Sequence, residues 1–129
     1  MKSILLLDDE VSIRDSLSRY LEEFDFEVTM AVSAEEALEI MDHREFDLGV
    51  IDIRLPGMNG DAFIVLAHRQ HPKMRFLIHT GSAEYGISGT LRLIGLRESD
   101  VLQKPLADLG ILRQAIDRLL PGDDCNEQP

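Results

Sequence analysis

Four short apolar runs in this chain each end on polar residues able to do chemistry. Ile4-Leu5-Leu6-Leu7 leads into Asp8-Asp9-Glu10, and Leu48-Gly49-Val50-Ile51 into Asp52. Phe76-Leu77-Ile78-His79 leads into Thr80, and Val101-Leu102-Gln103 into Lys104-Pro105. If the runs are parallel strands, these groups gather at one sheet edge. Two carboxylates about 5 Å apart at an effective dielectric near 20 repel by roughly 3 kcal/mol, so the cluster needs a counter-charge. A divalent cation supplies one, and an all-oxygen donor set without Cys or His suits Mg2+. Lys104 adds a mobile positive charge and Thr80 a hydroxyl. Together they make a receptacle for a phosphoryl group, in which metal, ammonium and hydroxyl hold the oxygens while a carboxylate attacks in line. Asp52 is the expected nucleophile, because it alone comes from the central strand while Asp8 and Asp9 arrive as an adjacent pair suited to metal. An aspartyl phosphate is the expected product. Taken singly, each residue has a plainer role: Asp as a cap or turn residue, Thr as a strand former, Lys-Pro as loop. Their occurrence together at four strand ends carries the argument.

The elements that must position these groups are readable from periodicity. The apolar, β-branched run ending at Asp52 is a buried strand, followed by a Pro- and Gly-marked loop, Leu55-Pro56-Gly57-Met58-Asn59-Gly60. Between Val11 and Phe24, residues Ile13, Leu17, Tyr20, Leu21 and Phe24 fall on one helical face. A short strand follows over 26–31. Ser33, with Glu36 three residues on, predicts a reciprocally capped helix to about His43, with Ala34, Ala37, Leu38 and Met41 as its buried stripe. A third helix starts at Asn59 or Gly60 and is stopped by Pro72. A strand covers 75–80. Over Ser82 to Arg97, Ile87, Leu91 and Ile94 keep helical spacing, but Gly86, Gly89 and Gly95 each cost about 1 kcal/mol inside a helix, which predicts a short or mobile fourth helix. There Leu93 and Leu96 fall off the inner stripe and are expected to be exposed. A fifth strand spans 101–103, and a last helix is expected over Leu106 to Leu120. Strands alternating with helices predict an α/β fold, a doubly wound parallel sheet covered on both faces. Ligands in such folds bind beyond the carboxyl ends of the strands.

The bulk numbers bound the possibilities. The 129 residues, 44% of them hydrophobic, fit one domain, expected over 1–120, with a flexible tail over 121–129. Thirteen basic against 24 acidic residues give a net charge of -11, which argues against direct nucleic-acid binding. One cysteine, Cys125, excludes an internal disulfide and suits a reducing compartment. No signal-peptide core or membrane-length apolar run is present, so no membrane association and a cytoplasmic location are expected. His68 and His71 share a helix face without a third ligand nearby in sequence and are expected at the surface; alternation points His79 away from the Thr80 side chain.

The acidic pair Asp8-Asp9, the stretch from Asp52 to Gly60, Thr80-Gly81 and Lys104-Pro105 together resemble, in order and spacing, the receiver domains of two-component response regulators. The resemblance covers about Lys2 to Leu120. It implies a flavodoxin-like sheet of order 2-1-3-4-5 with five helices. It implies Asp52 as phosphoacceptor, and Asp8, Asp9, Asp52 and the backbone carbonyl of Arg54 as ligands of Mg2+. It also implies Thr80 as switch hydroxyl and Lys104 as salt-bridge partner of the phosphoryl group. The implied partners are a sensor histidine kinase or phosphotransfer protein, together with an unknown downstream protein target. Catalysis would be confined to the domain's own phosphorylation and dephosphorylation.

Two positions stand apart from that pattern. Receivers usually carry Tyr or Phe three residues before the Lys, where this chain has Val101, an altered switch position. Arg54, two residues after the acceptor, is expected at the rim of the site, where it could tune the lifetime of the aspartyl phosphate. An aspartate-nucleophile phosphatase is a competing reading, but such enzymes place a second acid where Arg54 stands. Another is an interaction module that keeps the fold and is regulated by binding without phosphorylation. The start at Met1 and the lack of a second domain after Leu120 suggest a stand-alone receiver or the first piece of a longer chain.

Overall fold

The computed structural model describes residues 1–121; the expected flexible tail, apart from Pro121, and Cys125 lie outside the described residues. The chain alternates strand and helix throughout: β1 Ser3–Leu7, α1 Val11–Glu23, β2 Glu27–Ala31, α2 Ala34–Met41 and β3 Leu48–Ile51. It continues with α3 Gly60–Gln70, β4 Arg75–Thr80, α4 Gly89–Ile94, a 3-10 turn at Glu98–Asp100, β5 Val101–Gln103 and α5 Gly110–Leu119. All strand pairings are parallel, in the order β2-β1-β3-β4-β5. The expected order is therefore the observed one.

Strand alternation divides the core into two layers. Leu5, Leu7, Ile51, Phe76 and Ile78 face α2, α3 and α4, where Ala34, Ala37, Met41, Phe63, Ile64, Ala67 and Leu91 pack against them. Ile4, Leu6, Leu48, Val50 and Leu77 face α1 and α5 through Leu17, Leu21, Leu112, Ile116 and Leu119. Each such side chain, fully withdrawn from water, contributes about 1.5–3 kcal/mol, which is why strands buried on both faces read as continuous apolar runs.

Caps set the helix starts. Ser33 Oγ accepts a hydrogen bond from the Glu36 amide, but the Glu36 carboxylate accepts from Val32 N rather than Ser33 N, so the predicted reciprocal cap is displaced by one residue. Asn59 Oδ1 accepts from Ala62 N and settles the start of α3. The last helix begins at Gly110, later than the expected Leu106. Asp108 is the reason: its carboxylate accepts from Gly110 N and its carbonyl from Ile111 N, starting the first turn there, while Leu106 and Leu109 pack on the core as loop residues.

The fourth helix is short, as expected, with six residues capped by Ser88. It ends in a Schellman turn, in which Gly95 N donates to Arg92 O and Leu96 N to Leu91 O, with Gly95 at φ +122°. This turn corrects one expectation. Leu93 is 91% exposed as anticipated, but Leu96 is buried, because the left-handed glycine turns the chain inward after the helix ends. Phe24, expected inside, is 42% exposed, packed edge-on against Tyr20 and beneath the Arg113 guanidinium.

Candidate functional site

The register of the sheet brings the acids together. Leu7 lies opposite Ile51 across the β1–β3 pair, so the next residues, Asp8 and Asp52, leave the sheet side by side. Asp52 N donates to Leu7 O at 2.8 Å, extending the ladder by one bond. Asp8 and Asp52 are buried, Asp9 is exposed, and each offers a carboxylate oxygen within 4.8 Å of the others. The donor set is all oxygen and carries three formal negative charges, open to solvent on the Asp9 side. It fits a hard divalent cation that keeps part of its hydration shell.

Lys104 answers the buried acids. Its Nζ lies 2.9 Å from Asp8 Oδ2, 3.1 Å from Glu10 Oε1 and 3.4 Å from Asp52 Oδ2. Its backbone is fixed as well, since Lys104 N donates to Thr80 O at 2.7 Å, and the Lys104–Pro105 peptide is cis. Burial opposes the charge on Lys104, but the hydrogen bond and charge of Asp8, then Asp52 and Glu10, outweigh it and raise its pKa. For Asp52 the balance goes the other way. Burial, followed by repulsion from Asp8, pushes its carboxyl up to about 6, against the opposing pull of Lys104 and the Arg54 amide.

A cleft of about 330 Å3 lies over these groups, bordered by Asp9, Glu10, Asp52, Arg54, Gly81, Ser82 and Lys104. Arg54 thus stands at the rim, with its amide 3.4 Å from Asp52 Oδ1. Thr80 is placed differently from the other expected residues. It is fully buried, its hydroxyl accepts from Ser82 N at 3.1 Å, and only its neighbours Gly81 and Ser82 border the cleft. Alternation along β4 explains this: Phe76, Ile78 and Thr80 point into the α2–α4 layer, whereas Leu77 and His79 point toward α1 and α5. Val101 is half-buried against the α2–α4 layer.

Sequence reasoning missed several contributors. Glu10 reads only as part of an acidic run, yet it shares Lys104. His79 points away from Thr80 as expected, but that direction places it beside Asp8, Asp52 and Arg14. It is buried, neither ring nitrogen has a hydrogen-bonding partner among the described residues, and burial, then the charge of Lys104, lowers its pKa to about 4. Arg14, read only as a polar helix residue, donates to Asp8 O at 2.7 Å. Gly60 abuts the acceptor's own backbone, where a Cβ would lie 2.3 Å from Asp52 O. His68 and His71, expected at the surface, are half-buried, and His71 Nε2 lies 3.1 Å from Met41 O. They do not share a helix face, because α3 ends at Gln70: His71 turns to the end of α2 as the residue after the helix, while His68 borders a cavity with Ile94, Leu96 and Leu119.

The chain is similar to known proteins over most of its length. The family model for the response regulator receiver domain matches residues 4–117. The transcriptional regulatory protein FixJ of Bradyrhizobium diazoefficiens is 30% identical over 105 residues, 81% of this chain and 50% of that protein. The chain spans half or less of the length of the curated relatives it matches. Among solved structures, a CheY-like response regulator receiver domain protein from Methanospirillum hungatei superposes with a TM-score of 0.81 at 29% identity, covering 100% of this chain and 99% of that one. The response regulator protein TrrA from Thermotoga maritima, solved in complex with Mg(2+)-BeF, gives a TM-score of 0.80 at 26% identity over 93% of this chain and 100% of that one.

Proposed function

This chain belongs to the family of response regulator receiver domains, and we propose that it accepts a phosphoryl group on Asp52 from a sensor histidine kinase or phosphotransfer protein. An Asp52 carboxylate oxygen forms the new bond to phosphorus, and the bond from phosphorus to the donor's imidazole nitrogen breaks, its electron pair remaining on the nitrogen. The observation that carries this reading is the juxtaposition of three carboxylate oxygens within 4.8 Å with the Lys104 ammonium, 3.4 Å from Asp52 Oδ2, at the mouth of an open cleft.

Asp8, Asp9, Asp52 and the Arg54 carbonyl would hold Mg2+, which when bound supplies positive charge against the transferring phosphoryl oxygens. Burial leaves the Asp52 carboxylate poorly solvated, so less hydration must be shed as it attacks. Lys104 holds Asp8 and Asp52 as one pair of counter-ions and is within reach of an oxygen added to Asp52. Thr80, whose hydroxyl accepts from the Ser82 amide and keeps its own O–H free to donate, would reach the same oxygen by a shift of the Gly81–Ser82 turn. Arg54, at the rim, sets the access of water to the acyl phosphate and so its lifetime.

The resulting rearrangement would be read by a downstream protein rather than by nucleic acid, in keeping with the net charge of -11. Among the described residues no helix is long and apolar enough to cross a membrane, and a cytoplasmic site of action is part of the proposal. Catalysis is limited to the domain's own phosphorylation and dephosphorylation.

Intact mass after incubation with Mg2+ and acetyl phosphate tests the reading. One added phosphoryl group that requires Mg2+ and is lost in Asp52→Asn is expected. A wild-type protein that gains none, and that binds no beryllium fluoride in the presence of Mg2+, would overturn it.

A further inference from the structure

The turn between Thr80 and Ile87 is tied to the start of α3 by a side-chain hydrogen bond. Tyr85 Oη donates to Asp61 Oδ1 at 2.7 Å. Asp61 belongs to the first turn of α3, and that turn is tied to the acceptor strand's end: Gly60 N donates to Ile53 O at 2.9 Å, and Gly60 lies against Asp52 O. Asp61 is therefore rigidly referenced to Asp52. Tyr85 is in turn referenced to Thr80, since Tyr85 N donates to Ser82 O and Ser82 N donates to the Thr80 hydroxyl.

The other anchors lie at the two ends of the stretch, the Ser82 amide on the Thr80 hydroxyl and the buried Ile87 side chain. Gly81, Ala83, Glu84 and Gly86 are exposed, and a Cβ built on Gly81 or Gly86 would meet nothing within 4 Å. Tyr85 alone of these residues rests its side chain on the α2–α4 core. Its phenol remains a donor, because burial, then the Asp61 hydrogen bond and charge, raise its pKa. Because the Thr80 hydroxyl accepts from Ser82 N, moving it toward the cleft either breaks that bond or carries Ser82 along, and Ser82 is in turn tied to Tyr85, three residues on.

We propose that Tyr85 is a positioning residue: its hydrogen bond to Asp61 holds the Gly81–Tyr85 turn, and with it the Thr80 hydroxyl, in the position that does not contact a phosphoryl group on Asp52. Breaking the bond removes part of the cost of bringing Thr80 to the site. The inference rests on the phosphoacceptor reading above and deepens it, naming the residue pair that sets the resting position of the switch segment.

The test is binding of beryllium fluoride with Mg2+ to the wild type, Tyr85→Phe, Asp61→Ala, Asp61→Asn and the double variant Tyr85→Phe/Asp61→Ala. It is paired with amide hydrogen exchange over residues 81–85 in the metal-free protein. Tyr85→Phe and Asp61→Ala are each expected to bind about three- to ten-fold more tightly, the effect of losing one net hydrogen bond from the resting form. They should also exchange faster over 81–85. Asp61→Asn keeps an acceptor oxygen and should stay close to wild type, and the double variant should match the singles, since both remove the same bond. Tyr85→Phe affinity equal to or weaker than wild type overturns the proposal, as does a double variant whose gain is the product of the two singles. Wild type that binds no beryllium fluoride overturns this proposal together with the receiver reading; wild type that binds it alongside indifferent variants overturns this proposal alone.

Discussion

The Lys104 ammonium stands 2.9 Å from Asp8 Oδ2, nearer than to Asp52 Oδ2 at 3.4 Å. Asp8 thus takes the larger share of the Lys104 charge, and Asp52 is left with burial and repulsion only partly compensated. That imbalance gives the first prediction its sign.

Asp52→Asn should stabilise the metal-free domain at pH 7. The folded-state pKa of Asp52, about 6, lies above its unfolded value of 3.8, so between about pH 4 and 6 the native state holds a proton that the unfolded chain has released, and above pH 6 the fold carries the cost of a poorly compensated charge. Stability from this group is therefore highest below pH 4, falls as pH rises from about 4 to 6, and stays low above that. Discounted for the solvent-filled cleft beside the carboxylate, the gain is about 1–2 kcal/mol at pH 7. Urea midpoints without divalent cation should show it and should lack that portion of the wild-type slope. Added Mg2+ should stabilise the wild type more than the variant.

His79→Leu isolates the opposite slope. The imidazole is neutral in the fold, with its pKa lowered to about 4 from 6.5, so the unfolded chain gains the proton first as pH falls. Its contribution is intact above pH 6.5 and is lost progressively down to about 4. The variant should therefore lose less stability than wild type between pH 6.5 and 4, measured by urea unfolding at intervals across that window. A variant with the wild-type acid limb would show that His79 does not titrate in this way.

Gly60→Ala should be damaging although only a methyl group is added. The new Cβ would sit 2.3 Å from Asp52 O and 2.9 Å from Ile53 Cα, both backbone atoms that no rotamer change can clear. Such a clash typically costs about 1–3 kcal/mol. Because the shift falls on the acceptor's own peptide, Mg2+ affinity should fall in parallel with the urea midpoint.

Arg54→Ala should change the decay rate of phosphorylated protein by several-fold while leaving the urea midpoint within about 0.5 kcal/mol of wild type, as for other surface substitutions. Arg54 borders the cleft, and among the described residues its only hydrogen bond is through its backbone amide, which alanine retains. Loss of radiolabelled phosphoryl group with time is the measurement, and equal half-lives would remove Arg54 from the list of tuning residues.

Most of what positions the site was legible in the sequence, for an identifiable reason. Strands buried on both faces leave unbroken apolar runs, so the polar residue that ends each run marks the sheet edge, and Asp8, Asp52, Thr80 and Lys104 could be placed there together. What periodicity does not hold is the partnership between distant side chains. The sharing of Lys104 by Asp8 and Glu10, and the bond between Tyr85 and Asp61, exist only once the sheet has brought separate loops together. Leu96 failed for another reason: a helical projection assumes that the helix continues, and Gly95 ends it one residue earlier. For α5, leucine spacing at Leu106 and Leu109 mimicked a helical turn, when the hydrogen-bonding groups of Asp108 decide where the turn starts.

Alternation along β4 has one more consequence. Asp8, Asp52 and His79 share the side of the sheet covered by α1 and α5, whereas the Thr80 side chain enters the layer that contains α4 and the exposed Leu93. Under the proposed function the sheet would be a partition, with the phosphoryl chemistry on one side and the exposed Leu93 surface on the other. One hydroxyl group stands in the doorway. Under the same proposal, a domain without it would still record a signal on Asp52 but would lose the means of announcing it.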